Sequence, residues 1–116
     1  MSANKDKIST LANQQCTPCT AATPPLSQAR IDKLMAQLEG WELHGKLISR
    51  TFDFNNYHQA ISFVNAVAWV SNQEDHHPEL TISYNKCKVE YTTHAIDGLS
   101  ENDFICAAKV DALLKI

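Results

Sequence analysis

The chain predicts an α+β fold: a four-stranded antiparallel sheet with three helices on one face, in the order α-β-β-α-β-β-α. Three observations lead there. Apolar residues recur at helical spacing in three separate stretches, and between them two stretches alternate apolar and polar residues about short turn sequences. Two pairs of strands about short turns, set between helices, suit an antiparallel sheet with the helices packed on one face. At 116 residues the chain has room for one modest core.

Residues 1 to 26 are polar and small, end in Ala21-Ala22-Thr23-Pro24-Pro25, and show no sustained period. They read as a flexible or extended leader ahead of one domain over residues 27–116. Ser27 is a plausible N-cap, and Ile31, Leu34, Met35 and Leu38 form the stripe of an amphipathic first helix that Gly40 stops. From Trp41 the period changes. Trp41 to His44 and Leu47 to Phe54 flank Gly45-Lys46 as a hairpin, with Ile48, Phe52 and Phe54 on one face and Arg50 interrupting it.

Asn55 is placed to cap a central helix. Its expected buried side is Tyr57, Ile61, Val64, Val67, Ala68 and Ser71, with Phe63 and Val70 beside it. Asn72 to Asp75 ends that helix, and Pro78 forces His77 toward extended geometry because its ring clashes with a helical predecessor. A second hairpin follows, with Leu80, Ile82 and Tyr84 alternating against Cys87, Val89 and Tyr91 about an Asn85-Lys86 turn. The last helix starts strongly. Ser100 and Asp103 have capping-box spacing, Leu99 and Phe104 suit a hydrophobic staple, and Glu101 with Asp103 places negative charge at the positive end of the helix dipole. Ala107, Val110, Leu113 and Leu114 supply its core stripe, and the helix is expected to run nearly to the C-terminus.

Composition excludes several classes. The chain is 44% hydrophobic and 20% charged with a net charge of −3, which fits an ordinary globular protein and gives no basic footprint for nucleic acid. No apolar run reaches the roughly 18 residues of a membrane helix, and no secretory h-region is visible, so a cytoplasmic protein without a membrane partner is expected. The four cysteines are then expected to stay reduced, with Cys87 and Cys106 as buried thiols. Cys16 and Cys19 have the CxxC spacing of a zinc or redox pair, but no second CxxC follows. No P-loop, GxSxG or Rossmann glycine pattern is present.

The chemistry concentrates in His76-His77-Pro78 and in Thr93-His94, which hold three of the five histidines; His44 and His58 lie apart. Imidazole both takes and gives a proton near neutral pH. An Asn85-Lys86 turn pairs Tyr84 with Cys87 and, carried along the ladder, sets His77 opposite His94 on the polar face of the hairpin, with His76 on the adjoining loop. Two imidazoles so placed address one small ligand. A solvated loop corner is the plain alternative, and zinc a third, although the helical HExxH spacing is missing.

His76-His77-Pro78-Glu79, Tyr84-Asn85, Thr93-His94, Gly98-Leu99-Ser100 and Asp103, with Gly40-Trp41 upstream, resemble the signature of the pterin-4a-carbinolamine dehydratase family. The resemblance runs from about Leu26 to the C-terminus. It implies dehydration of 4a-hydroxytetrahydropterin to quinonoid dihydropterin without metal or organic cofactor, which recycles the pterin of aromatic amino acid hydroxylases. It also implies catalytic roles for His76, His77 and His94, with His76 and His94 as the acid/base pair and His77 mainly holding the pterin. The substrate-binding residues it implies are His77, Glu79, Thr93, Asp103 and Trp41, although Asp103 also reads as a helix cap and Trp41 as core. Where the family often has an acidic residue four positions before the first histidine, this chain has Asn72. The family assembles, so a homodimer or homotetramer is expected, and some relatives are dimerisation cofactors of a transcription regulator, the alternative function.

Overall fold

The computed structural model describes residues 11–114. Helix α1 spans Gln28–Met35, β1 Glu42–His44, β2 Leu47–Asp53, α2 Tyr57–Glu74, β3 Glu79–Ile82, β4 Lys86–Tyr91 and α3 Glu101–Ala112, with a 3₁₀ turn at His94–Ile96 between β4 and α3. The expected order is therefore present, with that turn added. The four strands form one antiparallel sheet in the order β1-β2-β4-β3. No helix among the described residues is long and apolar enough to cross a membrane.

Strand β4 shows why the sheet has one dry face. Cys87, Val89 and Tyr91 are buried, whereas Lys86 and Lys88, which alternate with them, are exposed, as a period of two requires when helices cover only one side. Ile48 and Phe52 of β2 join the same core, which all three helices complete through Ile31 and Leu34, Phe63 and Val67, and Phe104, Cys106 and Val110. Arg50 sits on this face without breaking it. Its guanidinium lies 4.5 Å from the centre of the Phe52 ring and donates to Glu39 O and Asp111 Oδ1, so the charge leaves at the rim while the stem packs.

Several local expectations change. Asn56, not Asn55, caps α2, its side chain accepting from the Gln59 N–H at 2.9 Å. The buried stripe of α2 is Ala60, Phe63, Val67, Val70 and Ser71, while Tyr57 and Ala68 face outward. The stripe is rotated because Phe63 packs at a tilt against Phe52 and Phe54, with ring centres 4.7 and 5.1 Å apart, and that contact sets which side of the helix meets the sheet. Helix α1 ends at Met35, before Leu38 and Gly40. Helix α3 ends at Ala112.

The register of the second hairpin also differs. Ile82, not Tyr84, pairs with Cys87, and the Ser83 N–H donates to Lys86 O, so Tyr84-Asn85 makes the turn. Lys86 belongs to the ladder instead, paired with Asp53 of β2 and forming an ion pair with it. A slip of two residues keeps every side chain on its face, so Cys87, Val89 and Tyr91 stay buried, whereas Ile82 at the sheet edge and Tyr84 in the turn are exposed. It does remove the proposed pairing of His77 with His94. The ladder stops at Glu79 with Glu90, one residue short of Pro78, which has no N–H to contribute.

Residues 1–10 lie outside the described residues; from residue 11 the leader begins with helical residues 11–13 and is tied to the domain. Leu11 is buried in the core, the Lys109 ammonium donates to Ala12 O, and the Leu26 N–H donates to Leu99 O at 3.0 Å. Pro25 packs on Gly98 so closely that a Cβ there would lie 3.0 Å from the proline Cβ.

Candidate functional site

His76 owes its position to the way α2 ends. Asp75 adopts a left-handed conformation (φ 51°) as the C-cap, and the N–H groups of Asp75 and His76 both bond to Ser71 O. The chain then turns out of the helix and Pro78 holds the next residues extended. His76 is delivered to the core side, at the start of α3. His77, the adjacent residue, is exposed.

The second histidine segment is a closed loop. Thr93 and Gly98 exchange backbone hydrogen bonds, and between them His94–Ile96 form a 3₁₀ turn ended by Asp97 at φ 49°. His94 is thus on a turn after β4 and not on a strand. A salt bridge of 2.8 Å from Lys46 to Asp97 ties this loop to the first hairpin and holds the Asp97 carboxyl below its ordinary range.

These segments meet α3 in one hydrogen-bonded network. His76 Nε2 lies 2.7 Å from Asp103 Oδ1, Thr93 Oγ1 donates to Asp103 Oδ2 at 2.8 Å, and the Ser100 N–H donates to the same oxygen at 2.9 Å. Ser100 Oγ stands 2.7 Å from Thr93 Oγ1, and because the single Thr93 proton goes to Asp103, the serine must be the donor. Asp103 has no solvent exposure, yet both its oxygens are partnered. It is both helix cap and histidine partner: the capping-box position turns its second oxygen toward His76. The His76 ring also lies parallel to the ring of Tyr91, 8° between planes and 5.8 Å between centres, which fixes its orientation from the other side.

A cavity of about 500 Å³ opens over this network. His76, His77, Thr93 and His94 all line it, so the three histidines predicted to cooperate do converge, by a bend and a loop and not by strand pairing. Trp41 and Glu79 are not among its lining residues. Trp41 is core: its ring packs against Phe52 and Tyr91, and its indole N–H donates to Asp111 at 3.0 to 3.1 Å. Glu79 stands exposed on β3 opposite Glu90.

Residues outside the predicted site complete the cavity. The arm Cys16, Thr17, Pro18 and Cys19 forms one wall. Asn102 grips it with both ends of its amide, Nδ2 donating to Thr17 O at 2.6 Å and Oδ1 accepting from the Thr17 N–H at 3.0 Å, while Glu74 accepts from the Cys16 N–H at 2.8 Å. The CxxC spacing marked the segment but gave no hint of what it touches. Asn72 is exposed, and the carboxylate that partners His76 comes from Asp103 on α3.

Comparison with known proteins agrees with this architecture. The model of the family described as pterin 4 alpha carbinolamine dehydratase matches residues 24–113. The chain belongs to that family. It is 63% identical over 109 residues to a Nitrosospira multiformis protein named "Putative pterin-4-alpha-carbinolamine dehydratase", covering 94% of this chain and 96% of that one. A Nitrosomonas eutropha protein of the same name is 62% identical over 92% of this chain and 96% of its own. Among solved structures, a transcriptional coactivator/pterin dehydratase from Brucella melitensis is similar with a TM-score of 0.74 at 30% identity, over 77% of this chain and 97% of that one. A pterin dehydratase-like protein described as a RuBisCO assembly factor in the alpha-carboxysome has a TM-score of 0.57 at 27% identity, over 65% of this chain and 89% of its own. The family match begins at residue 24, so the cavity wall at residues 16–19 lies outside it.

Proposed function

We propose that this protein dehydrates 4a-hydroxytetrahydropterin to quinonoid dihydropterin by histidine acid/base catalysis, recycling the pterin of aromatic amino acid hydroxylases. The observation that carries the reading is the His76–Asp103 pair, 2.7 Å apart beneath a cavity that His77 and His94 also line. Loss of water from the substrate makes a C4a=N5 double bond: the N5 proton leaves, its electron pair forms the new bond, and the C4a–O bond breaks. Hydroxide is a poor leaving group, so it departs as water only if an acid supplies a proton.

The residues divide these tasks. With Nε2–H donated to the Asp103 carboxylate, Nδ1 of His76 is the nitrogen that takes the N5 proton, and the carboxylate stabilises the imidazolium that results. His94, exposed at the head of the 3₁₀ turn, protonates the departing hydroxyl. His77 holds the pterin, and Thr93 contributes by orienting Asp103. Each positioned proton transfer contributes about 10² to 10⁴ in rate.

Turnover of 4a-hydroxytetrahydropterin by the purified protein is the test. His76→Ala and His94→Ala should each lose about 10² to 10⁴ in kcat while keeping the circular dichroism of the wild type. Wild-type protein with no activity above the spontaneous reaction would overturn the reading.

The two solved relatives, a transcriptional coactivator/pterin dehydratase and a RuBisCO assembly factor, favour a second reading, a protein-binding role such as dimerisation cofactor of a transcription regulator. Trp69 on α2 and Tyr84 at the hairpin tip are 65% and 68% exposed and would suit such a contact. A pure adaptor shows no turnover, which separates the two readings in the same assay. We also infer a cytoplasmic homodimer or homotetramer, because an open sheet leaves β1 and β3 as edges that assembly can cover. Light scattering that gives only a 13.0 kDa species would refute the assembly.

A further inference from the structure

We propose that Cys16 and Cys106 are an oxidisable thiol pair that clasps the amino-terminal arm to α3 and makes the cavity wall covalent. Their sulfur atoms are 3.5 Å apart across 90 residues of chain, close enough to share a hydrogen bond. A disulfide needs about 2 Å between sulfurs, so closure asks for a movement of only about 1.5 Å. The backbone on the arm side is already held. The Cys16 N–H is bonded to Glu74 and Thr17 is gripped by Asn102, so the bond would form within an existing arrangement.

The two thiols have complementary surroundings. Cys16 lines the open cavity and is partly exposed, where a hydroperoxide can reach it. Cys106 is fully buried in the core, one turn along α3 from Asn102 and Asp103, with the Cys16 sulfur against its own. The hydrogen bond with Cys16, and then burial, push the Cys106 thiol well above the ordinary range, which suits a resolving partner and not a first nucleophile. Cys19 faces elsewhere, toward the Asn102 amide at 3.5 Å and Thr17 O at 3.9 Å.

The chemistry closes with hydrogen peroxide as oxidant. The Cys16 sulfur attacks one peroxide oxygen, the O–O bond breaks, and the thiol becomes a sulfenic acid with release of one water. The Cys106 sulfur then displaces the oxygen from Cys16; the S–S bond forms, and the oxygen leaves as a second water with the Cys106 proton. Two thiols are oxidised by two electrons and one peroxide is reduced by two.

The test reads mass, so its outcome is independent of turnover. Full-length reduced protein is exposed to hydrogen peroxide, free thiols are blocked with N-ethylmaleimide, and the protein is digested without reductant. A Cys16–Cys106 linked peptide, lighter by two hydrogens than its separate parts and released by dithiothreitol, is expected. It should persist in Cys19→Ser and vanish in Cys16→Ser and Cys106→Ala. The oxidised wild type should also unfold at a higher temperature than the reduced one, because the bond closes a long loop. If Cys106→Ala does not fold, Cys16→Ser alone decides. A Cys16–Cys19 link, sulfinic acid at Cys16 of the wild type, or four thiols still blocked by maleimide would each overturn the proposal.

Discussion

His76 Nε2 and Asp103 Oδ1 stand 2.7 Å apart although 27 residues separate them, and the carboxylate has no exposure to solvent. That contact joins the end of one helix to the start of another. It needs the left-handed Asp75 to aim the imidazole and the capping geometry of α3 to aim the carboxylate.

Asp103→Asn keeps a side chain of the same shape and an acceptor for the Ser100 N–H, but removes the charge that stabilises a protonated His76. The kcat for 4a-hydroxytetrahydropterin should fall at least about 10-fold, with KM changed much less. Steady-state kinetics on the folded variant would check this. A proportional rise in KM with kcat unchanged would mean that Asp103 only shapes the binding surface.

Trp41→Phe separates core from cavity. The substitution removes the indole N–H that donates to Asp111 and leaves that carboxylate one donor fewer, so urea unfolding should show a loss of about 1 to 3 kcal/mol. Turnover should stay within about twofold, the ordinary scatter for a residue away from reacting atoms. A selective rise in KM would instead place the indole against the substrate.

Tyr91→Phe should leave stability unchanged or raise it by up to about 1 kcal/mol. The Tyr91 hydroxyl is buried without a well-formed hydrogen bond among the described residues, and the nearby Ser71 hydroxyl already donates to Val67 O at 2.8 Å. The ring that stacks on His76 is retained, so kcat should not change. A stability loss above about 1 kcal/mol in urea unfolding would show that the hydroxyl is satisfied after all.

Alkaline pH should destabilise the fold. Desolvation raises the ionisation range of Cys87 and of Tyr91, and Cys106 is raised by its bond to Cys16 and by burial. These groups stay protonated when folded while the unfolded chain gives up its protons, from about pH 8.5 for thiols and about pH 10 for the phenol. Their stabilisation is therefore complete below those values and is lost progressively as pH rises toward the folded-state range, at up to about 1.4 kcal/mol per pH unit each for Cys106 and Tyr91. Thermal unfolding between pH 7 and 10.5 should show a falling Tm under reducing conditions, with a shallower fall in Cys106→Ala.

The chain by itself determined which elements would form and much of the apolar face of each strand, because periods of two and of 3.6 are local properties of the backbone and survive small errors of register. Leu80, Cys87, Val89 and Tyr91 kept their face even though the hairpin pairs two residues away from the expected register. His76, His77, Thr93, His94 and Asp103 were likewise marked by residue type and motif alone. The tertiary structure decided how they meet. Only packing between elements distant in sequence could put Asp103 under His76, take Trp41 into the core beside Asp111, and lay the arm at residues 16–19 over the cavity with Cys16 against Cys106. Those contacts depend on helix ends and loop closures whose directions no periodicity encodes, since a cap or a left-handed residue turns the chain once and leaves no repeating pattern to read.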